Sequence, residues 1–263
     1  MRVHEETNIE SCLVLRPSAI NTYLECQAKY EFEYIHKLAV WNKAPLAFGT
    51  SIHEAFQINY SQKIISRRDL PVEAVEDFFC SKFDSEFENV DSSDLQNETP
   101  GQIKDQGIKL IRKYQSEVSP RVVPAAVEQR IEVKFRNYDY GLSGKIDLYD
   151  AYGKIRDHKT TSREVKNISE PYKRQISFYA LLEEATGNEV KGAAIDFLKR
   201  DTTEIRHKAV EVDRKEALIR LQEVGDGITK GVFIPNRNSF LCTKRFCKYW
   251  NECQKKHGGK VKE

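Results

Sequence analysis

The cysteines constrain this 263-residue chain most. One stands at position 26, in Y-L-E-C-Q-A-K-Y. Three more, Cys242, Cys247 and Cys253, come near the other end, in C-T-K-R-F-C-K-Y-W-N-E-C. A segment rich in Lys, Tyr and Trp is a poor place for three cysteines to act as packing residues. Four thiolates can hold either a [4Fe–4S] cluster or Zn²⁺. Structural zinc sites usually use two C-x₂-C pairs, so one distant cysteine plus a terminal triplet is a different arrangement. A metal held by Cys26, Cys242, Cys247 and Cys253 would staple the two ends of the chain together and couple site formation to folding. The expectation is a single domain over 1–263, with 26 plus 242–253 as its staple. Cys12 and Cys80 fall outside the pattern and read as small hydrophobes.

Redox context supports a metal over disulfides. The first ten residues, MRVHEETNIE, are polar and acidic and do not read as a secretory signal. No apolar run approaches the roughly 20 residues that span a bilayer. A cytoplasmic protein with reduced thiols and no membrane partner is expected. Apolar residues make up 40% of the chain, with 13 Phe and 12 Tyr, enough for a sizeable core. The net charge of +2 carries no argument about nucleic acid, but its distribution does. Residues 69–98 hold ten acids and one base, which reads as a solvated helical face. Residues 240–263 hold seven Lys/Arg and two acids, suited either to a phosphate backbone or to solubility.

The order of elements follows from periodicity and punctuation. Pro17-Ser18 opens a helix carrying Tyr23, Cys26, Tyr30 and Tyr34. A second helix starts near Gly49 and carries His53, Phe56 and Tyr60. Pro71 and Pro100 open a third and a fourth. Residues 126–136, 142–150 and 154–160 read as a three-stranded meander, with turns at Asn137–Gly141 and Tyr152-Gly153. A helix over 169–186, strands near 190–199 and 203–212, and a helix over 213–230 follow. This is an α/β (α+β) arrangement: a mixed sheet flanked by helices, a helical N-terminal part and a cysteine-stapled C-terminus. Residues 61–122 form a helical insertion, and 126–230 form the core that carries the chemistry.

That chemistry lies in G-L-S-G-K-I-D-L-Y-D-A-Y-G-K-I-R-D-H-K-T-T. Asp157 and Lys159 are two apart on a strand and share a face. Pairing through the Tyr152-Gly153 turn brings Asp147 to Asp157. Two acids on one surface repel unless a cation sits between them, and Mg²⁺ or Mn²⁺ seeks such oxygens. A bound ion acidifies its water and neutralises charge developing on a phosphate, while Lys159 orients the water or stabilises the transition state. His158, between the two, faces away, although its carbonyl can reach the ion. Glu128 and Glu132 precede the hairpin and read first as sheet-face salt bridges. For so short a motif as D-x-K, the alternative is an exposed surface ion pair.

The wider pattern extends this reading. His53 lies in F-G-T-S-I-H, Asp147 in G-x-x-D, and Gln175 and Tyr179 form Q-hydrophobic-x-x-Y on the following helix. Together these resemble the PD-(D/E)XK nuclease superfamily, specifically its RecB-like branch. The cysteine arrangement is similar to the iron–sulfur staple of CRISPR-associated RecB-like exonucleases and AddB-type nuclease domains. The resemblance implies that His53, Asp147 and Asp157 ligate Mg²⁺ or Mn²⁺, with the His158 carbonyl. It implies that Lys159 is catalytic, and that Gln175 and Tyr179 support the site or touch DNA. The implied activity is a metal-dependent DNA exonuclease acting on single-stranded or duplex ends. Its setting would be repair, recombination, phage replication or CRISPR adaptation, beside a helicase, recombinase or integrase. The competing class is a non-catalytic iron–sulfur module that binds DNA ends, for which an intact triad would be superfluous. Tyr23, Tyr30, Phe32, Tyr34, Trp41 and Trp250 surround the staple and offer stacking surfaces for single strands, although core packing accounts for most such rings.

Overall fold

The computed structural model describes residues 13–38, 44–88, 90–91, 95, 98–135 and 140–258. Cys12 and Trp41 lie outside them. The elements run β1 (Leu13–Leu15), α1 (Pro17–Glu25), α2 (Gln27–Tyr30), a π-helical turn (Glu31–Ile35), α3 (Ala44–Ser66), α4 (Val72–Phe87) and α5 (Pro100–Glu117). They continue as β2 (Pro124–Lys134), β3 (Tyr140–Asp150), β4 (Lys154–Thr161), α6 (Glu170–Ala185), β5 (Gly192–Lys199), β6 (Glu204–Ala209), α7 (Arg214–Thr229) and α8 (Trp250–His257). Six strands form a mixed sheet in the order β1-β3-β4-β5-β6, with β2 on β3. The meander of β2, β3 and β4 is as expected. β1 was not expected: three residues are too few to show a period, and only pairing with β3 defines them as a strand.

The chain divides into two compact units. One comprises Met1–Ala39, Glu132–Gly144 and Arg214–Glu263; the other comprises Val40–Ile131 and Lys145–Asp213. In the first, β1 pairs in parallel with the start of β3, Leu13 opposite Tyr140 and Leu15 opposite Leu142. Two helical glycines of α7 admit large rings. A Cβ on Gly225 would lie 2.5 Å from the Tyr140 ring, and one on Gly227 would lie 2.3 Å from the Tyr23 hydroxyl. That hydroxyl donates to Val232 O at 2.8 Å. The single helix expected from Pro17 onward breaks at Cys26, which is extended (φ −162°, ψ 113°). The C-terminal cysteine segment is mostly turns, and only Cys253 sits in a helix, α8.

In the second unit, α3, α4 and α5 build an aromatic core with Leu148 and Leu198 of the sheet, around Phe56, Tyr60, Phe79, Phe83, Ile111 and Tyr114. Residues 61–122 therefore contribute the core of this unit. α5 opens with a reciprocal capping box, Thr99 with Gln102, which satisfies two helix-end donors. α4 and α5 touch at Gly107, where a Cβ would lie 2.2 Å from Phe79 Cζ. Alanine is the better helix former by about 1 kcal/mol, yet Phe79 is fully buried and has nowhere to move. Gly107→Ala should destabilise the protein by about 1–3 kcal/mol through overpacking, read as a lower urea midpoint. An unchanged or raised midpoint would contradict this packing. β4 and β5 run parallel, joined through α6, and β5–β6 is antiparallel. No helix among the described residues is long and apolar enough to cross a membrane.

Candidate active site

Every residue of the carboxylate–lysine array belongs to the second unit. The β3–β4 hairpin is closed by Asp150, whose Oδ1 accepts from the backbone N–H of Tyr152 and of Lys154, both at 2.9 Å. Gly153 takes φ +79°, which glycine adopts without strain. The ladder pairs Tyr149 with Ile155 and Leu148 with Arg156. One step further, Asp147 replaces the backbone acceptor: its Oδ2 takes the His158 N–H at 2.8 Å. The side chain that ends the ladder is thereby fixed beside β4.

Asp157 is 1% exposed. Its Oδ1 accepts from Lys159 Nζ at 2.9 Å and lies 3.4 Å from Gln175 Nε2, which also donates to the Tyr179 hydroxyl at 2.7 Å. Its Oδ2 is 2.7 Å from the same ammonium but has no aligned donor. Lys159 Nζ also stands 5.5 Å over the Tyr172 ring. His53 reaches in from α3, with Nδ1 3.3 Å from Asp147 Oδ2 and 3.8 Å from Glu128 Oε1.

The electrostatics follow from this crowding. Burial would lower the His53 imidazole, but Asp147 and Glu128 outweigh it and push it up to about 10. Burial likewise opposes the Lys159 charge, and Asp157 and Asp147 hold its pKa above the ordinary lysine range. Burial would raise Asp147; the His53 charge and the His158 hydrogen bond overrule it and hold the carboxyl well below the usual range. Burial pushes the Asp157 carboxyl up; Lys159 pulls against it, and Asp147 adds to the rise. Two carboxyl groups are thus crowded against an imidazole and an ammonium, and a cation held by the acids would take the place of the proton on His53, since a histidine ligand is neutral.

The His158 ring lies on the opposite sheet face from Asp157, packed on Phe56 and Tyr114. It nevertheless joins the site, because Nδ1 comes within 3.6 Å of Asp147 Oδ2. Ligand atoms of His53, Asp147 and His158 lie within 4.8 Å of one another; Asp157, drawn to Lys159, is outside that group. Behind the ring runs a buried relay. Tyr60 donates to Tyr114 at 3.1 Å, Tyr114 donates to Asp196 Oδ2 at 3.3 Å, and Asp196 Oδ1 meets His207 Nδ1 at 2.6 Å. Tyr114 Oη also meets His158 Nε2 at 2.8 Å. This donor set of imidazole nitrogens and a carboxylate oxygen fits a divalent cation.

Sequence reasoning missed Tyr114 and Asp196. A buried Asp on an apolar strand was the available signal for Asp196, which is 0% exposed. Tyr114 lies in a stretch with no recognised motif. Glu128 makes a salt bridge with Lys145, and its side chain is also buried beside His53. It holds φ +49° within β2, a conformation rare for a non-glycine residue, and that backbone turn could not be read from sequence.

The four staple cysteines all belong to the first unit, and none of the described cysteines is in a disulfide. Cys26 Sγ accepts the Asn236 N–H at 3.4 Å. Ala28, Phe32, Tyr249 and Cys253 pack together, with Cys26 and Cys247 against them. Burial pushes the Cys247 and Cys253 thiols up, and neighbouring Cys26 and Cys242 add to it. Tetrahedral zinc would hold sulfurs about 3.8 Å apart. Among the described residues no three of these thiols fall within 4.8 Å of one another.

The mixed α/β sheet thus carries an Asp–Asp–Lys constellation beside a histidine, with Asp157 its most buried member. The PD-(D/E)XK nuclease superfamily matches residues 15–254, and the chain belongs to it. Among solved structures it is similar to the crystal structure of "Putative exonuclease" from Eubacterium rectale. The two share 13% identity with a TM-score of 0.60, over 95% of this chain and 90% of that one. SSO0001 is also similar, at 14% identity and a TM-score of 0.42, over 96% of this chain and 88% of that one. No curated protein matches.

Proposed function

We propose that this protein is a Mg²⁺- or Mn²⁺-dependent exonuclease that hydrolyses phosphodiester bonds at DNA ends, with single strands preferred. The observation that carries the reading is the convergence of Asp147, Asp157 and Lys159 with His53 in one site. His53, Asp147 and Asp157 are the proposed metal ligands, together with His158, through its ring nitrogen or its carbonyl. The metal would supply Lewis acidity and an acidified water. Lys159 stabilises charge developing on the phosphate, and Gln175 and Tyr179 hold Asp157 in place. Tyr172 beside Lys159 offers a ring on which an unpaired base can stack, which favours single strands. The E. rectale neighbour's name is consistent with end-directed cleavage. The test is incubation with end-labelled linear and circular single-stranded DNA and Mg²⁺ or Mn²⁺. Cleavage of linear DNA alone is expected, and equal loss of the circle would overturn the exonuclease assignment.

We further infer that Cys26, Cys242, Cys247 and Cys253 hold a [4Fe–4S] cluster. The Asn236 N–H on Cys26 sulfur supports this, since such bonds stabilise and tune thiolate ligands. Protein purified without air should be brown with about four irons per chain. Cys253→Ser should lose the colour and melt at lower temperature. A colourless wild type containing zinc would overturn the cluster and leave the nuclease reading intact.

A further inference from the structure

We propose that Tyr114 is a positioning residue that, oriented by Asp196, holds the His158 imidazole as a ring-nitrogen ligand of the metal. This rests on the metal-dependent nuclease reading above. The ion would then meet a nitrogen from each of two histidines, His53 and His158, as well as Asp147.

Strand register places the parts. His158 of β4 pairs with Asp196 of β5, and Asp196 pairs with His207 of β6. Paired residues share a face, so the three form one row on the side of the sheet that α3 and α5 cover. The His158 ring is held among Phe56, Tyr60 and Tyr114, with ring centroids 5.0, 6.5 and 5.4 Å away. An apolar side chain would satisfy such packing. The imidazole instead spans two polar groups: Nε2 meets Tyr114 Oη at 2.8 Å, and Nδ1 faces Asp147 Oδ2 at 3.6 Å. The second contact is longer than a hydrogen bond. Octahedral ligands roughly 2.0–2.1 Å from an ion lie about 3 Å apart when adjacent and about 4 Å when opposite. His53 Nδ1 stands 3.3 Å from the same Asp147 oxygen, and ligand atoms of all three residues lie within 4.8 Å of one another. These spacings are near those of ligands around one ion.

Tyr114 suits the task because its hydroxyl is fully committed. Its oxygen meets Tyr60 Oη at 3.1 Å, His158 Nε2 at 2.8 Å and Asp196 Oδ2 at 3.3 Å. A phenol has one hydrogen to donate. Asp196 is 0% exposed and lies 3.4 Å from Arg156 Nη1; as a carboxylate it only accepts. All three contacts are hydrogen bonds together only when Tyr114 donates to Asp196 while Tyr60 and His158 Nε2 donate to Tyr114. A histidine that ligates through Nδ1 carries its hydrogen on Nε2, so the network matches the tautomer that ligation needs.

The test is Mn²⁺ binding to the purified protein without DNA, followed by electron paramagnetic resonance. Electron spin-echo modulation should show two histidine nitrogens on Mn²⁺ bound to wild type and one in His158→Gln. Tyr114→Phe and Asp196→Asn should each weaken Mn²⁺ binding about tenfold or more, the lower end for partners of metal-binding histidines. Tyr60→Phe removes a buried hydroxyl that bonds Tyr114 and not His158, and its Mn²⁺ affinity should stay within about twofold of wild type. One nitrogen in wild type, wild-type affinity in Tyr114→Phe or Asp196→Asn, or an equal loss in Tyr60→Phe would overturn the inference. The wild-type nitrogen count decides the matter even where a variant fails to fold. If two nitrogens bind Mn²⁺ and no DNA is cut, the nuclease reading falls and the ligation stands. If DNA is cut with one nitrogen on the metal, only the ligation falls; if no Mn²⁺ binds, both fall.

Discussion

Lys159→Ala should lower kcat for cleavage of single-stranded DNA about a thousandfold, the upper range for removing one preorganised charge from a buried site. The ammonium lies 2.7 Å from Asp157 Oδ2, and both side chains are held by β4 on one face. Asp157 is 1% exposed, so the ammonium rather than water is its counter-charge. Asp157→Asn keeps the shape and removes the carboxylate charge. It should raise the Mn²⁺ concentration for half-maximal activity on the order of a hundredfold or more, since even outer partners of metal ligands cost 10–100-fold. Gel assays on end-labelled DNA across a Mn²⁺ series, with melting curves to confirm folding, provide the check. A folded Lys159→Ala variant cutting at the wild-type rate would remove the array from catalysis.

Asp69→Ala should destabilise the protein by about 1–3 kcal/mol, less than stripping the partner from a fully buried ion pair because the Asp69 carboxylate is partly exposed. Asp69 lies between α3 and α4. Its Oδ2 accepts from Lys63 Nζ at 2.8 Å, and its Oδ1 accepts from Asn59 at 2.8 Å and Ser119 at 2.5 Å. Lys63 is 7% exposed, and its other partner is the Ser119 carbonyl, so the substitution strands an ammonium in the core. Burial would raise the Asp69 carboxyl, but Lys63, Ser119 and Asn59 together lower it below its ordinary value. The folded pKa is therefore below the unfolded one. The pair's contribution is complete above the unfolded aspartate value, about 4, and is lost as pH falls through the folded value. Urea midpoints of wild type and Asp69→Ala should thus differ most near neutrality and converge below pH 4. A constant difference down to pH 2 would show that packing, not charge, sets the loss. Lys63→Met in the Asp69→Ala background should recover part of the stability.

Much of this was legible from local pattern. The β3–β4 hairpin follows from alternation and from Asp150 and Gly153 at the turn, and α5 from Thr99-Pro100. Asp157 and Lys159 share a face because a strand has period two. Other features had no local signal. β1 becomes a strand by pairing with β3. Cys26 breaks a helix that its own neighbours favour, while its sulfur takes an N–H from Asn236, far along the chain. Glu128 enters the site through a backbone conformation its residue type disfavours.

The sequence by itself determined which groups could do the chemistry and which secondary elements carry them, because side-chain pKa, turn propensity and periodicity are local properties. Only the tertiary structure decided which carboxyl group is pushed up and which is held down. Asp147 and Asp157 are the same residue type, and their difference arises from His53 of α3, Lys159 and shared burial. The tertiary structure alone also brought Tyr114 and Asp196 behind His158. Those contacts are made through space between segments far apart in the chain, and electrostatic energy depends on that distance and on the water it excludes.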